Sequence, residues 1–187
     1  VSGFTDPSES PHDFFKVGHT STSIALAVGM AQARDLVSPA SHENVMAVIG
    51  DGSLSGGLAF EGLNNAAKLK SNLIILVNDN QMSIDEDQGG LYRGLKELRD
   101  TQGQSANNIF KFMGLDYRYV ADGNDLKTMI DVFKEVKNID HPIVLHVNTQ
   151  KGKGYQPAID DQKKYHWRAP FDLQTGESKQ SAPKESY

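Results

Sequence analysis

Between Val48 and Gly57 the chain reads VIGDGSLSGG, with one carboxylate, Asp51, set between Gly50 and Gly52. A glycine turn that opens a helix presents unpaired N–H groups and the positive end of the helix dipole, a setting made for an anion. Asp51 would repel an anion bound there directly. A phosphate loop of the Walker type needs a lysine after its last glycine, and none follows here. A dinucleotide fingerprint needs a third glycine where Ser55 stands, although Asp79 closes the next apolar run, where a ribose-binding acid would lie. A third reading places a metal ion between Asp51 and the anion.

That reading requires a second oxygen ligand at a neighbouring strand end, because ligands of open parallel sheets gather at the carboxyl ends of strands. The segment NDNQM supplies one in Asn80, 29 positions after Asp51. Mg²⁺ takes near-octahedral oxygen coordination from a few protein groups, phosphates and water. The Asp51 carboxylate, the Asn80 side-chain oxygen and a backbone carbonyl near Met82 would leave room for two phosphate oxygens and a water. The carboxylate then holds the cation, the cation holds a diphosphate, and Gly52 lets the backbone come close.

The elements that must position these residues alternate between helix and strand. Ser21 to Leu36 is alanine-rich and helical in character, with Ser, Thr and His before it as N-cap candidates. Val45 to Ile49 and Asn72 to Val77 are short apolar strands of the kind buried on both faces of a parallel sheet. Leu58 to Lys70 is a second helix, and a further helix is expected near Leu91 to Leu98. Tyr117 to Val120 and Pro142 to Val147 complete the strands. Between them, Asp125 to Lys137 carries Leu126, Met129, Ile130, Phe133 and Val136 on one stripe, with Asn124 as the expected N-cap. This alternation predicts an α/β fold, a mostly parallel sheet with helices on both faces.

The 187 residues suffice for one domain; 38% are apolar and 23% charged, an ordinary globular composition. A formal charge of −5 argues against nucleic acid as a partner, and the absence of cysteine excludes disulfides, thiolate metal sites and cysteine nucleophiles. No apolar run approaches the ~18 residues that cross a bilayer, and no signal peptide is visible, which points to the cytoplasm rather than a membrane. The start at Val1 suggests a fragment, and residues 1–15 read as a loop. Residues 1–171 are expected to form the domain and 172–187 a flexible tail.

The pair GDG and NDN resembles the thiamine diphosphate motif, and the likeness extends along the chain. GHTSTSIALAVGMA, VIGDGSLSGGLAFEGLNNAA, NLIILVNDNQMSI, YRYVADGND and KGKGYQPA occur in an order similar to that of the 1-deoxy-D-xylulose-5-phosphate synthase family, in the transketolase superfamily. The resemblance implies an N-terminally incomplete diphosphate-binding domain. It also implies a transferase that joins a two-carbon unit from pyruvate to glyceraldehyde 3-phosphate with loss of CO₂, for isoprenoid synthesis. By the same resemblance Asp51, Asn80 and Met82 (through its carbonyl) would hold Mg²⁺. Gly52, Ser53 and Asn80 would line the diphosphate of thiamine diphosphate. Gly18, His19 and Thr20 would contact the cofactor, His19 flanking the reacting centre as the catalytic candidate, and Tyr155 would reach the cofactor from the last loop. A homodimer and a pyrimidine-binding domain, in the same or a partner chain, are implied as partners.

The chain departs from that pattern in four respects. Set against the family, the 187 residues are expected to lack the early histidine-bearing segments and the pyrimidine-binding domain, the stretch before Phe110 is shorter than the family leads one to expect, and Asn124 stands where the family has a histidine. Simpler roles remain open: Asp51 as a helix cap, Asn80 in an Asx turn, His19 as a helix-start residue, Tyr155 in packing. His141 and His146 read as structural, and Lys151 and Lys153 as solvated loop lysines or phosphate contacts. Rival functions are a transketolase or oxoacid dehydrogenase subunit, a catalytically silent binding module, and a nicotinamide dehydrogenase. Asp51→Ala is expected to abolish magnesium-dependent cofactor binding and to leave the fold intact.

Overall fold

A computed structural model describes residues 3–41, 43–83 and 85–179. Its centre is a four-stranded, all-parallel sheet in the order β1-β2-β4-β3, formed by β1 (Met46–Gly50), β2 (Leu73–Asp79), β3 (Asp116–Val120) and β4 (Pro142–Asn148). The expected α/β layering is present, and β2 and β4 are the interior strands. Gly50 pairs with Asn78, and Asp79 with Asn148, so these three strands end side by side.

Strand alternation builds two cores. Ala47, Ile49, Ile75, Val77 and Val144 face α1 (Ser23–Val37), α3 (Gly57–Ala66), α4 (Gly90–Asp100) and the short α5 (Ile109–Phe112). Ile74, Val120, Leu145 and Val147 face α6 (Leu126–Val136). On α1 and α3 small residues permit close approach: a Cβ on Gly62 would lie 2.8 Å from Ile24 Cγ2 and 2.9 Å from the Ala25 nitrogen.

The second face is covered only in part. Met46 and Val48, on the outer side of edge strand β1, are 42% and 57% exposed, although parallel sheets are ordinarily buried on both faces. The α6 stripe is rotated accordingly. Val132 and Val136 are buried, whereas Leu126 and Ile130, expected inward, face solvent because no element among the described residues packs beyond them.

Several ends differ from expectation. Asp125, not Asn124, caps α6, accepting from the Thr128 N–H at 2.8 Å; Asn124 Oδ1 instead accepts from the Gln150 N–H at 2.7 Å. Thr22 precedes α1 without a side-chain cap bond. The one-turn helix α2 (Asp51–Leu54), α5 and α7 (Gln156–Asp160) are too short for a periodic signal. The opening loop is closed on itself, with a Thr5–Val17 bridge and a Lys16–Asp6 ion pair of 2.8 Å. In the segment expected to be a flexible tail, residues 172–179 form a turn bridged from Phe171 to Ser178, and the remainder lies outside the described residues. No helix among the described residues is long and apolar enough to cross a membrane.

Candidate functional site

The glycine turn leaves β1 at Gly50, and Asp51 opens α2 with a carboxylate only 2% exposed. Because Gly50 is level with Asn78 across the ladder, the chain after β2 runs directly beside that carboxylate. Asp51 Oδ1 accepts from the Gly52 N–H at 2.9 Å. Its Oδ2 accepts from the N–H groups of Asn80, at 2.9 Å, and Gln81, at 2.6 Å. The structure thus brings the GDG and NDN segments into direct contact. Asn80 Oδ1 accepts from the Met82 N–H at 3.2 Å, an Asx turn that holds the loop in shape.

Burial is the main reason the Asp51 carboxyl is pushed up to about 6; the Asn80 and Gly52 hydrogen bonds oppose the shift, while the charges of Asp79 and Asp87 add to it. No ion pair among the described residues reaches Asp51. A buried carboxylate in this condition has strong affinity for a cation. The described residues contain no cluster of three acidic or histidine ligands, so protein charge alone would not saturate an ion. One carboxylate with neutral oxygens fits Mg²⁺, which completes its shell with phosphates and water. The missing Cβ of Gly52 lets the loop after β2 pack onto the turn: a Cβ there would lie 2.5 Å from Ser83 Cβ.

Burial and three backbone donors correct one expectation. Asp51 is not a bare surface-loop residue, and Asp51→Ala would orphan the N–H groups of Gly52, Asn80 and Gln81, so the fold would not be indifferent to it.

The remaining candidates divide between two clefts. His19, Thr20 and Ser53 line a groove of about 640 Å³ along β1, with Gly50 at its edge. His19 Nδ1 lies 2.7 Å from the Thr20 carbonyl. Gly18 packs beneath Phe4, whose ring would meet a Cβ at 3.3 Å. The turn before α1 is seated on the one before α3: Ser21 adopts φ 69°, and a Cβ on Gly56 would fall 2.1 Å from Ser21 Oγ. Asn80 and Met82 line a larger cleft of about 900 Å³ over the carboxyl ends of β2, β4 and β3. Asp51, bonded to the Asn80 backbone, joins the two regions. Tyr155 lines neither cleft; it is packed against Tyr165 and Phe171 at 5.6 and 6.0 Å between centroids, with its hydroxyl donating to the Leu173 carbonyl at 3.0 Å.

Asp79 is not available to a ribose. It is fully buried, and its Oδ2 accepts from Arg99 Nη1 at 2.5 Å and His146 Nε2 at 2.7 Å. Burial pushes its carboxyl up, but the His146 and Arg99 bonds and the Arg99 charge outweigh that and hold it below the ordinary carboxylate value. His146 Nδ1 meets the Tyr117 hydroxyl at 2.8 Å. This network was invisible to pattern reading, since Arg99 closes an ordinary helix and His146 interrupts an apolar strand; a histidine amid five apolar strand residues was the available signal. Lys151, half-buried, is tethered rather than free. Its Nζ donates to the Ser83 carbonyl at 2.6 Å and lies 2.8 Å from His166 Nδ1. Burial lowers its pKa against the opposing charges of Asp51 and Asp87.

Comparison with known proteins identifies the family of the chain. The family model for 1-deoxy-D-xylulose-5-phosphate synthase matches residues 1–107 and 101–149. The synthase of Clostridium beijerinckii is 40% identical over 222 residues, an alignment covering 100% of this chain and 35% of the relative. Synthase 1 of Geobacter sulfurreducens is 38% identical over 221 residues (98% and 34%), and the Porphyromonas gingivalis synthase 39% over 223 (98% and 34%). The alignments exceed the chain's 187 residues, so the relatives carry intervening residues that it lacks. The two family matches meet at the turn after α4, which agrees with the shortened stretch before Phe110. The chain spans about a third of the length of the curated relatives it matches. With its glycine turn, its buried Asp51 and the matching order of segments, the chain belongs to the 1-deoxy-D-xylulose-5-phosphate synthase family.

Proposed function

We propose that this chain is the diphosphate-anchoring part, residues 1–171, of a thiamine diphosphate- and Mg²⁺-dependent transferase that condenses pyruvate with glyceraldehyde 3-phosphate and releases CO₂. The observation that carries the reading is the meeting of the GDG and NDN turns on one buried carboxylate. Asp51, Asn80 and the Met82 carbonyl hold the cation, while Gly52 and Ser53 present α2 backbone to the diphosphate. His19 and Thr20 line the β1 groove, next to Gly18 in sequence, and in this reading the three contact the cofactor with His19 flanking its reacting centre. Thiamine diphosphate, when bound, supplies the covalent chemistry of decarboxylation and carbon–carbon bond formation; the chain binds, orients and charges its surroundings. Tyr155 serves the cofactor only through the loop it packs, given its aromatic partners. The reading includes a pyrimidine-binding domain, in this or a partner chain of a homodimer, to complete the site in the cytoplasm.

Calorimetric titration of the chain with thiamine diphosphate, with and without Mg²⁺, tests the proposal. Binding that requires the divalent cation is expected. NADH binding indifferent to Mg²⁺, with no response to thiamine diphosphate, would replace this reading with the nicotinamide one.

A further inference from the structure

Asp79 lies at the centre of a buried network that reaches four elements. Arg99 comes from the last turn of α4, His146 from the middle of β4 and Tyr117 from β3, and all three converge on the end of β2. Asp79 Oδ2 takes the Arg99 and His146 bonds, which leaves Oδ1 to accept from the Gln81 N–H at 3.2 Å. That same N–H donates to Asp51 Oδ2 at 2.6 Å. One backbone proton is therefore forked between the network and the carboxylate of the glycine turn. Gln81 adopts φ 68°, a left-handed conformation that a non-glycine residue keeps only when its surroundings impose it. The preceding peptide carries Asn80, whose N–H also donates to Asp51. Displacement of Asp79 would be transmitted through Gln81 to both Asp51 and Asn80.

We infer that Asp79, held by Arg99 and His146, is a positioning hub that sets the geometry between Asp51 and Asn80 for a divalent cation. The inference rests on the cation reading proposed above. None of the three side chains touches the ion; they act through the backbone of Gln81. Arg99 has a particular part in this, since its charge offsets a second buried carboxylate beside Asp51. Loss of that charge leaves Asp79 uncompensated and drives it away from Asp51, opening the junction.

The test uses Mn²⁺ as a paramagnetic stand-in for Mg²⁺, titrated into the full chain with saturating thiamine diphosphate and followed by electron paramagnetic resonance. Arg99→Met is expected to weaken Mn²⁺ binding at least tenfold and to broaden the bound-ion spectrum, at a temperature where circular dichroism shows the variant fully folded. Arg99→Lys, which restores the charge, is expected to bring affinity back within threefold of wild type. If Arg99→Met does not fold, His146→Phe, which fills the same aromatic space without the two bonds, is held to the same tenfold threshold. Wild-type affinity and spectrum in a folded neutral variant would overturn the inference. So would failure of both variants to fold, since the hub would then be structural alone. If the wild-type chain itself binds no Mn²⁺ with the diphosphate, it is the cation reading that falls.

Discussion

Asp51→Asn separates what the carboxylate does for the ion from what it does for the fold. Its carboxyl is pushed from an ordinary 3.8 up to about 6, chiefly by burial. Two pH units at 1.36 kcal/mol each amount to about 3 kcal/mol. The native state holds this proton more tightly than the unfolded chain. Stability from neutral Asp51 is therefore complete below about pH 3.8, declines as pH rises towards 6, and is lost above it. The asparagine oxygen can keep the Asn80 and Gln81 donors, but its NH₂ then faces the Gly52 N–H, orphaning one donor at a cost of about 1–3 kcal/mol. The variant should accordingly be the less stable protein at pH 4 and lie within about 2 kcal/mol of wild type at pH 7. The difference between the two should change by about 2–2.5 kcal/mol across that range, most of the full shift. Urea unfolding followed by far-ultraviolet circular dichroism, in chelator, at pH 4, 5, 6 and 7 measures this directly, because other titrating groups cancel in the difference. Mg²⁺ with thiamine diphosphate should raise the wild-type midpoint at pH 7 and leave the variant unmoved. Parallel stability curves for the two proteins across pH would refute the claim that Asp51 is a strained buried anion awaiting a cation.

Two further outcomes follow from the packing and the surface. Gly62→Ala sets a Cβ 2.8 Å from Ile24 Cγ2 and 2.9 Å from backbone, so α1 and α3 must separate; a net loss of about 1–2 kcal/mol in urea is expected despite the better helix propensity, and a gain would contradict the close contact. His141 is raised above its ordinary value by its bond to Asp140, against burial and with help from Asp116, so its contribution is complete below about pH 6.5 and fades at higher pH. His141→Ala should therefore cost more stability at pH 5.5 than at pH 8.5, and an equal cost at both would remove the ion pairs as its cause.

The glycines around Asp51 located the candidate site because a carboxylate in a turn suited to an anion would repel that anion unless a cation lies between them, and that logic needs only local spacing. Strands and long helices were legible for the same local reason, their apolar periods. Strand order was not: that β4 inserts between β2 and β3 depends on crossovers, and only this insertion brings His146 to Asp79. Arg99 and Asp79 are 20 residues apart, joined by neither period nor motif. The cap of α6 moved by one residue because two adjacent side chains, Asn124 and Asp125, could each serve, and the Gln150 N–H claimed the first. Tyr155 shows the opposite limit, for its motif was readable but its aromatic neighbours come from a later segment.

The contact of Ser21 with Gly56 has a consequence for how a ligand would be received. The turns ahead of α1 and α3 are wedged together and the helices behind them touch at Gly62, so His19–Thr20 and Asp51–Ser53 are braced against one another. A guest entering the β1 groove therefore meets a wall whose shape is held by packing between two helices rather than by a single loop.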